Sequence, residues 1–174
     1  MPKSYWIVTI NPDNFQIAKD RKFDLLGLRA QHKRKVQRIE NGDQLLLYIT
    51  HLRVFSLAAT VEKPFFEDNS PIWGKEGDSN LPYRIGIKPD QILKPTQYLE
   101  ACHIAPRMDY VKRWVPEMWF MAFEGSLHLI SKSDFFMISE EIRKSGESTT
   151  ENPTQPLPIN INIKSKCALY RSLD

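Results

Sequence analysis

The sequence predicts a single α+β domain in which short helices flank a mainly β core. Its 174 residues are 41% hydrophobic and 26% charged, which is typical of one globular domain that can bury a core. Runs of β-branched and aromatic residues recur along the chain, and Gly, Pro, Asn or Asp ends most of them. Together these observations predict several short strands joined by tight connections.

The N-terminal part predicts a strand and two short helices. Residues 5–10 are β-branched and aromatic, and residues 11–14, Asn-Pro-Asp-Asn, favour a turn and can cap a helix. We expect that helix to cover residues 15–22. Gly27 then breaks the pattern, and a second, basic helix is expected at residues 31–39, before an Asn-Gly pair that can end it.

The middle of the chain predicts the centre of the sheet. Residues 44–50 form an apolar run typical of a buried strand, and residues 54–61 are its expected neighbour. Between 62 and 82 the composition shifts to Pro, Gly, Asp, Asn and Ser around several aromatic residues, which predicts a long loop. Loops of about 20 residues are uncommon unless they are functional. The chain then returns to a strand at 83–88. Short helical pieces are expected at 96–101 and 108–114. The apolar stretches at 119–121 and 126–130 are of undecided type.

The C-terminal part predicts a last helix and a tail. Ser131 and Ser133 can cap that helix, which is expected to run through Ile142 with Gly146 as its stop. The next ten residues are polar and contain two prolines, a composition typical of linkers. At 159–163 Ile alternates with Asn, a pattern that suits an edge strand or contact with a protein partner. We therefore predict a domain over residues 1–144 and a polar linker and C-terminal tail over residues 145–174.

The charge is distributed unevenly. The formal net charge is only +3, but residues 19–38 hold eight Lys or Arg against two Asp, which leaves the rest of the chain slightly acidic. A local basic excess is what a nucleic-acid-binding face requires, because Lys and Arg neutralise phosphates and release counterions. The alternative is a solvated helix face, which is common on protein surfaces.

Several classes of protein find no support in the sequence. No apolar run is long enough to span a bilayer, and the N-terminus does not resemble a signal peptide. Cys102 and Cys167 are too few for a disulfide scaffold, which favours the reducing cytosol. The four histidines have no metal-ligand spacing, and neither a nucleophile elbow nor a phosphate-binding loop is present. We therefore predict a cytoplasmic protein without a metal, a cofactor, a membrane partner or enzymatic activity.

The remaining distinctive features are four tryptophans, a loop with aromatic residues and the basic segment. Aromatic faces stack on bases while Lys and Arg hold the backbone, so this combination suits recognition of an unstacked base. The alternative is that the aromatic residues belong to the core, as most do in any domain.

Short motifs also occur in a recognisable order: Tyr-Trp-Ile at 5–7, Leu-Gly-Leu-Arg-Ala-Gln-His-Lys at 26–33, Gly-Asp-Gln-Leu-Leu-Leu-Tyr at 42–48, Pro-Tyr-Arg-Ile at 82–85, and the segment 118–135. In this order and spacing they resemble the EVE family, a branch of the PUA-like superfamily related to YTH domains, over residues 4 to about 143. The resemblance implies a PUA-like mixed β pseudo-barrel flanked by short helices. It also implies a module that binds modified bases in DNA or RNA.

The resemblance places a base pocket between the first strand and the Gly27 segment. Asn11 matches a YTH position whose amide bonds the base edge, although a turn or helix cap is the alternative role. Many relatives carry a Trp beside that Gly, where this chain has Leu26, so this wall is aliphatic and lacks a π face. The implied pocket consists of Asn11, Leu26, Gly27, Tyr48, Thr50, Trp73 and Tyr83. The implied phosphate contacts are Arg29, Gln31, Lys33 and Arg34.

The leading hypothesis is a non-enzymatic reader of a modified base in DNA or RNA. One alternative is a protein-interaction or regulatory module without base recognition, acting through the basic helix and the tail segment 159–163. Another is an enzyme acting on modified nucleotides, which would need a catalytic group that the sequence does not reveal.

Overall fold

The computed structural model describes residues 2–73 and 81–148. In these residues one mixed sheet contains seven strands: β1 (Tyr5–Ile10), β2 (Leu25–Leu28), β3 (Gln44–Ile49), β4 (Val54–Glu67), β5 (Tyr83–Ile92), β6 (Leu99–Glu100) and β7 (Leu127–Ile130). The strand order is β2-β5-β4-β3-β1-β7, and β6 pairs with the start of β4. Strands β1 and β3 are parallel, and the other pairs are antiparallel. The sheet is curled into a half-barrel, which confirms the predicted fold class.

Short helices surround the sheet: α1 (Pro12–Asp20), α2 (Lys33–Val36), α3 (Ala101–Ile104) and α4 (Lys132–Glu147), with 3-10 turns at Ala30–His32, Pro95–Gln97, Ala105–Arg107, Val111–Arg113 and Pro116–Phe123. The two predicted caps are confirmed. The Asn11 side chain accepts the Asn14 N–H at 2.8 Å, and the Ser131 hydroxyl accepts the Asp134 N–H at 3.1 Å. No helix among the described residues is long and apolar enough to cross a membrane.

The sheet is buried on both faces. Along β3, Leu45, Leu47 and Ile49 belong to one core cluster, which includes residues of α1 and β2, while Leu46 and Tyr48 belong to a second, which includes residues of α4. This alternation follows from the two-residue repeat of a strand. It explains why the sequence of β3 is continuously apolar rather than alternating.

Several local predictions are wrong in part. The helical piece expected at 96–101 is a 3-10 turn, strand β6 and the first residue of α3. Gly27, expected to be a break, lies within β2. Residues 62–67 are not loop but the second half of β4. The predicted basic helix at 31–39 is only a 3-10 turn followed by the four-residue α2. Gly146 does not end α4, because the helix continues to Glu147; a Cβ at Gly146 would lie 2.4 Å from the Gln91 side-chain nitrogen, so glycine here permits close packing.

The predicted tail strand at 159–163 lies outside the described residues. The predicted linker from residue 149 onward lies outside them as well, and so does most of the glycine-containing part of the predicted loop, at 74–80. The division into a domain over 1–144 and a tail over 145–174 stays a prediction.

Candidate functional site

A cavity with a volume of about 280 Å³ opens at one edge of the sheet. Because β1 and β3 are parallel, they end at this same edge, and the chain that leads into β7 crosses beside them. The lining comes from the end of β1 and the start of α1, from β2, from the end of β3 and the turn after it, and from residues 120–126. This volume is just below the roughly 300–1,000 Å³ typical of ligand pockets, which suits a single flat ring system.

An aromatic pair gives the cavity its apolar surface. The rings of Tyr48 and Phe123 are stacked, with centroids 4.6 Å apart and planes inclined by 20°. Burial raises the pKa of the Tyr48 hydroxyl, so this group keeps its proton at neutral pH and can donate a hydrogen bond. The pair thus combines a flat apolar surface with one polar group.

Two arginines line the same cavity. Arg29 follows β2, and Arg53 lies in the turn between β3 and β4. In that turn His51 and Arg53 have φ values of 62° and 55°, in the left-handed region that non-glycine residues rarely adopt. The Arg53 guanidinium lies 4.5 Å from the ring centroid of Phe120, which fixes it at the rim. Strained backbone of this kind often occurs at functional sites.

Residues 124–126 form one side of the cavity, which we call the cavity wall, and hydrogen bonds hold it from two directions. From β1, the Thr9 N–H donates to the Ser126 carbonyl at 3.0 Å, and the Thr9 hydroxyl donates to the Gly125 carbonyl. From the other side, the Ser126 N–H donates to His32 Nε2 at 3.1 Å, and His128 Nε2 lies 3.2 Å from the Gly125 carbonyl. The wall is therefore positioned by β1 and by two histidines.

Both histidines are held in the neutral form. A carbonyl can only accept, so His128 Nε2 carries the hydrogen, and His128 Nδ1 accepts from the Tyr110 hydroxyl at 2.9 Å. Burial lowers the pKa of His128 to about 4. The pKa of His32 is also lowered, first by burial and then by the positive charges of Lys35 and Arg29. Neutral His32 is what the Ser126 N–H requires as an acceptor.

The model of the EVE domain family matches residues 4–140 of this chain. The chain belongs to the EVE domain family. A UPF0310 protein of Pyrococcus horikoshii is 26% identical to it over 101 residues, which is 51% of this chain and 68% of that relative. The predicted family resemblance is confirmed.

Solved structures share the fold of this EVE domain at low sequence identity. A complex of the mmi1 YTH domain with RNA superposes with a TM-score of 0.59 at 11% identity, covering 82% of this chain and 83% of that one. The YTH domain of Zygosaccharomyces rouxii MRB1, solved with N6-methyladenosine RNA, gives a TM-score of 0.57 at 12% identity, covering 82% and 91%. The predicted relation to YTH domains is thus confirmed at the level of the fold.

The cavity of the EVE domain brings together five of the residues predicted from the sequence. These are Asn11, Gly27, Arg29, Tyr48 and Thr50. Asn11 caps α1, as predicted, and also lines the cavity. The helix-cap role and the place in the pocket, which are alternatives at the level of the sequence, are therefore compatible. Whether these side chains contact a base stays a prediction.

Three other predicted pocket residues do not line the cavity. Leu26 is fully buried in the core, because neighbouring strand residues point to opposite faces and Gly27 is the one at the cavity. Tyr83 is buried in the same core cluster. Trp73 packs against Gly27, where an added Cβ would lie 2.6 Å from its Nε1. Trp73 is therefore behind the cavity, and Gly27 permits that close approach.

The predicted phosphate contacts lie on the surface beyond Arg29. Gln31, Lys33 and Arg34 are exposed on the 3-10 turn and α2, and none of them lines the cavity. Lys33 Nζ lies 3.9 Å from a Glu67 carboxylate oxygen, which is a weak surface ion pair.

Sequence reasoning missed the cavity wall and its supports. Thr9, Arg53, Phe123 and Glu124 all line the cavity. Phe123 and Glu124 belong to the segment 118–135 of the family resemblance, but no pocket role was predicted for them. They reach Thr9 because β7 pairs with β1, a contact between distant parts of the chain that has no local sequence signal.

A second group of polar side chains lies elsewhere on the surface. Ligand atoms of Glu100, Cys102 and His103 lie within 4.8 Å of one another, which makes them the one such group found in the described part of the chain. Exposed groups of this kind are common without an ion, and the absence of a metal stays a prediction.

Acidification is expected to destabilise the domain and loosen the cavity wall. Because the folded protein lowers the pKa of His128 from 6.5 to about 4, the unfolded chain binds more protons between these values. The contribution of His128 to the free energy of unfolding is therefore present above pH 6.5 and is lost as the pH falls toward 4. We expect a loss of about 2 kcal/mol on moving from about pH 7.5 to 4.5, measured by urea unfolding.

A matched pair of variants identifies the group responsible. His128→Gln removes the titrating ring and is expected to flatten the pH dependence. His103→Gln changes an exposed histidine outside the cavity and is expected to leave the pH dependence of stability unchanged. A His128→Gln protein that loses stability as steeply as the wild type would contradict the role of this histidine.

Proposed function

We propose that this EVE domain is a non-catalytic module that binds DNA or RNA and captures one modified base in the cavity. The observation that carries the proposal is the combination of a cavity of about 280 Å³, the stacked Tyr48 and Phe123 rings, and Arg29 and Arg53 in its lining. An unstacked base needs an apolar aromatic surface, and the phosphates beside it need positive charge.

The basic segment supplies the second half of this interface. Arg29 connects the cavity to the exposed cations of α2, which are Lys33, Arg34 and Lys35. These side chains are in a position to follow the phosphate backbone away from a captured base. Because such contacts release counterions, the affinity is expected to fall steeply as salt rises.

Selectivity for a modified base would come from burial of the modification. A methyl group gains about 0.8 kcal/mol when it is buried, which corresponds to a preference of about 4-fold over the unmodified base. The YTH structure solved with N6-methyladenosine RNA supports a ligand of this general class, because it shares the fold.

The test is a titration of the protein with single-stranded DNA and RNA oligonucleotides that carry or lack one methylated base. We expect tighter binding of a methylated oligonucleotide and a linear fall of log affinity with log salt concentration. Ser126→Trp places an indole in the cavity and is expected to abolish the preference for the methylated base while the salt dependence remains. Ser133→Trp makes the same change at an exposed position outside the cavity and is expected to keep both.

Two results would overturn the proposal. One is equal affinity for every oligonucleotide at all salt concentrations. The other is capture of a protein partner that survives nuclease treatment by a chain that binds no oligonucleotide, which would favour a protein-interaction module.

A further inference from the structure

Glu124 is the one acidic side chain among the described residues that line the cavity. It lies on the cavity wall, is exposed, and its carboxylate makes no hydrogen bond or ion pair with the described residues. Arg29 and Arg53 line the same cavity and have interaction partners of their own. A carboxylate at this position offers two oxygen acceptors to a ligand.

Two hydroxyl groups of the cavity also present acceptors. The Thr9 hydroxyl donates its hydrogen to the Gly125 carbonyl, and the Thr50 hydroxyl donates to the Ile10 carbonyl at 3.3 Å. Each oxygen therefore has only lone pairs left for a ligand. The N–H of Ser126 is already used by His32. The Glu124 carboxylate and these two threonine oxygens are therefore hydrogen-bond acceptors in the lining of the cavity.

We infer, on the basis of the proposed function, that Glu124 selects a base whose edge carries two adjacent N–H donors, as guanine does. The N1–H and the exocyclic amine of guanine can both donate to one carboxylate, in the bidentate geometry that is most selective. Adenine and cytosine present an amine next to a ring nitrogen lone pair, and that lone pair would face the carboxylate. Uracil presents one N–H between two carbonyls, which are also acceptors.

Donors of the kind that guanine O6 requires also line the cavity. The Asn11 oxygen accepts the Asn14 N–H at 2.8 Å, so the amide nitrogen of Asn11 is the group left to donate. The protonated hydroxyl of Tyr48 is a second donor in the same lining. The lining therefore offers both hydrogen-bond acceptors and hydrogen-bond donors to a ligand.

The experiment compares four single-stranded oligonucleotides that differ only in the central base, A, C, G or U, by competition binding at constant salt. The wild type is expected to bind the guanine oligonucleotide about 10-fold more tightly than the adenine one. Glu124→Gln keeps the shape of the side chain but exchanges one acceptor for a donor, and it is expected to abolish this ranking. Since the residue is exposed, the variant is expected to fold, which its thermal unfolding checks.

Removing a negative charge can also strengthen binding to any polyanion, so a charge-matched control is needed. Glu117→Gln makes the same change on the 3-10 segment that leads to the cavity wall, at an exposed residue outside the lining. It is expected to raise all four affinities alike and to keep guanine first.

The outcomes separate the two proposals. A wild-type ranking with guanine first that is lost only in Glu124→Gln supports the inference. The same ranking in the wild type and Glu124→Gln, or one with adenine first, overturns the inference and leaves base capture intact. Equal affinity for all four bases, together with no effect of Ser126→Trp on any methylated oligonucleotide, overturns base capture and the inference with it.

Discussion

Asp43→Ala is expected to lower the free energy of unfolding by about 3–5 kcal/mol, a large fraction of the 5–15 kcal/mol typical of a domain. The Asp43 carboxylate is 3% exposed and accepts three hydrogen bonds. They come from the Ser4 N–H and the Trp6 indole, both at 2.9 Å, and from the Glu40 N–H at 3.1 Å. Alanine would leave all three donors without this partner, and the Trp6 ring is itself buried.

Asp43→Asn keeps the shape of the side chain and tests the hydrogen bonds alone. The amide keeps one acceptor but turns an NH2 group toward a donor, so we expect a free energy of unfolding between those of the wild type and Asp43→Ala. Urea unfolding gives all three values. Glu62→Ala, at an exposed carboxylate of β4, is the control and is expected to resemble the wild type. If Asp43→Ala also unfolds like the wild type, the carboxylate does not hold the start of β1 to the turn before β3.

The sequence predicted the elements whose causes are local. The strand at 5–10 and the caps at Asn11 and Ser131 depend on residues within one turn or one strand, and the structure has them where expected. The second half of β4 was predicted as loop because it is polar and contains Pro64. Its pairing with β5 shifts register between Lys63 and Phe66, and a proline is tolerated at such an irregularity. Pairing across the sheet outweighed local composition there.

The cavity could be predicted only in part for the same reason. The family resemblance led to Gly27 and Tyr48, which lie within its motifs, and to Asn11 and Thr50, which follow the motifs at 5–7 and 42–48. The opposite side, including Glu124, is brought there by the antiparallel pairing of β7 with β1. No periodicity or spacing within 120–126 indicates that partner strand, so the position of Glu124 at the cavity needed the three-dimensional structure.

Arg84→Met is expected to lower the free energy of unfolding by about 3 kcal/mol and to open the loop between β4 and β5. The Arg84 side chain is fully buried and joins both sides of that loop. It donates to the Asp68 carboxylate at 2.6 Å and to the Ser70 hydroxyl at 2.7 Å, and its Nε lies 3.4 Å from the Leu81 carbonyl. Asp68 is 38% exposed, so water can replace the hydrogen bond that its carboxylate loses with Arg84. This limits the decrease in the free energy of unfolding.

The loop connects Arg84 to the cavity, because Leu81 lines the cavity and Trp73 packs against Gly27 behind it. Hydrogen exchange of the backbone amides around Asp68 and Leu81 is therefore expected to accelerate in Arg84→Met before global unfolding, with a weaker preference for the captured base. Arg84→Lys is expected to be intermediate, since an ammonium cannot reproduce the planar fork of donors. Arg143→Met removes an exposed arginine whose ion pairs among the described residues are with Glu140 and Glu147 of α4, and it is expected to leave both measurements unchanged. If Arg84→Met changed exchange at the loop no more than Arg143→Met does, Arg84 would not be what holds this side of the cavity in place.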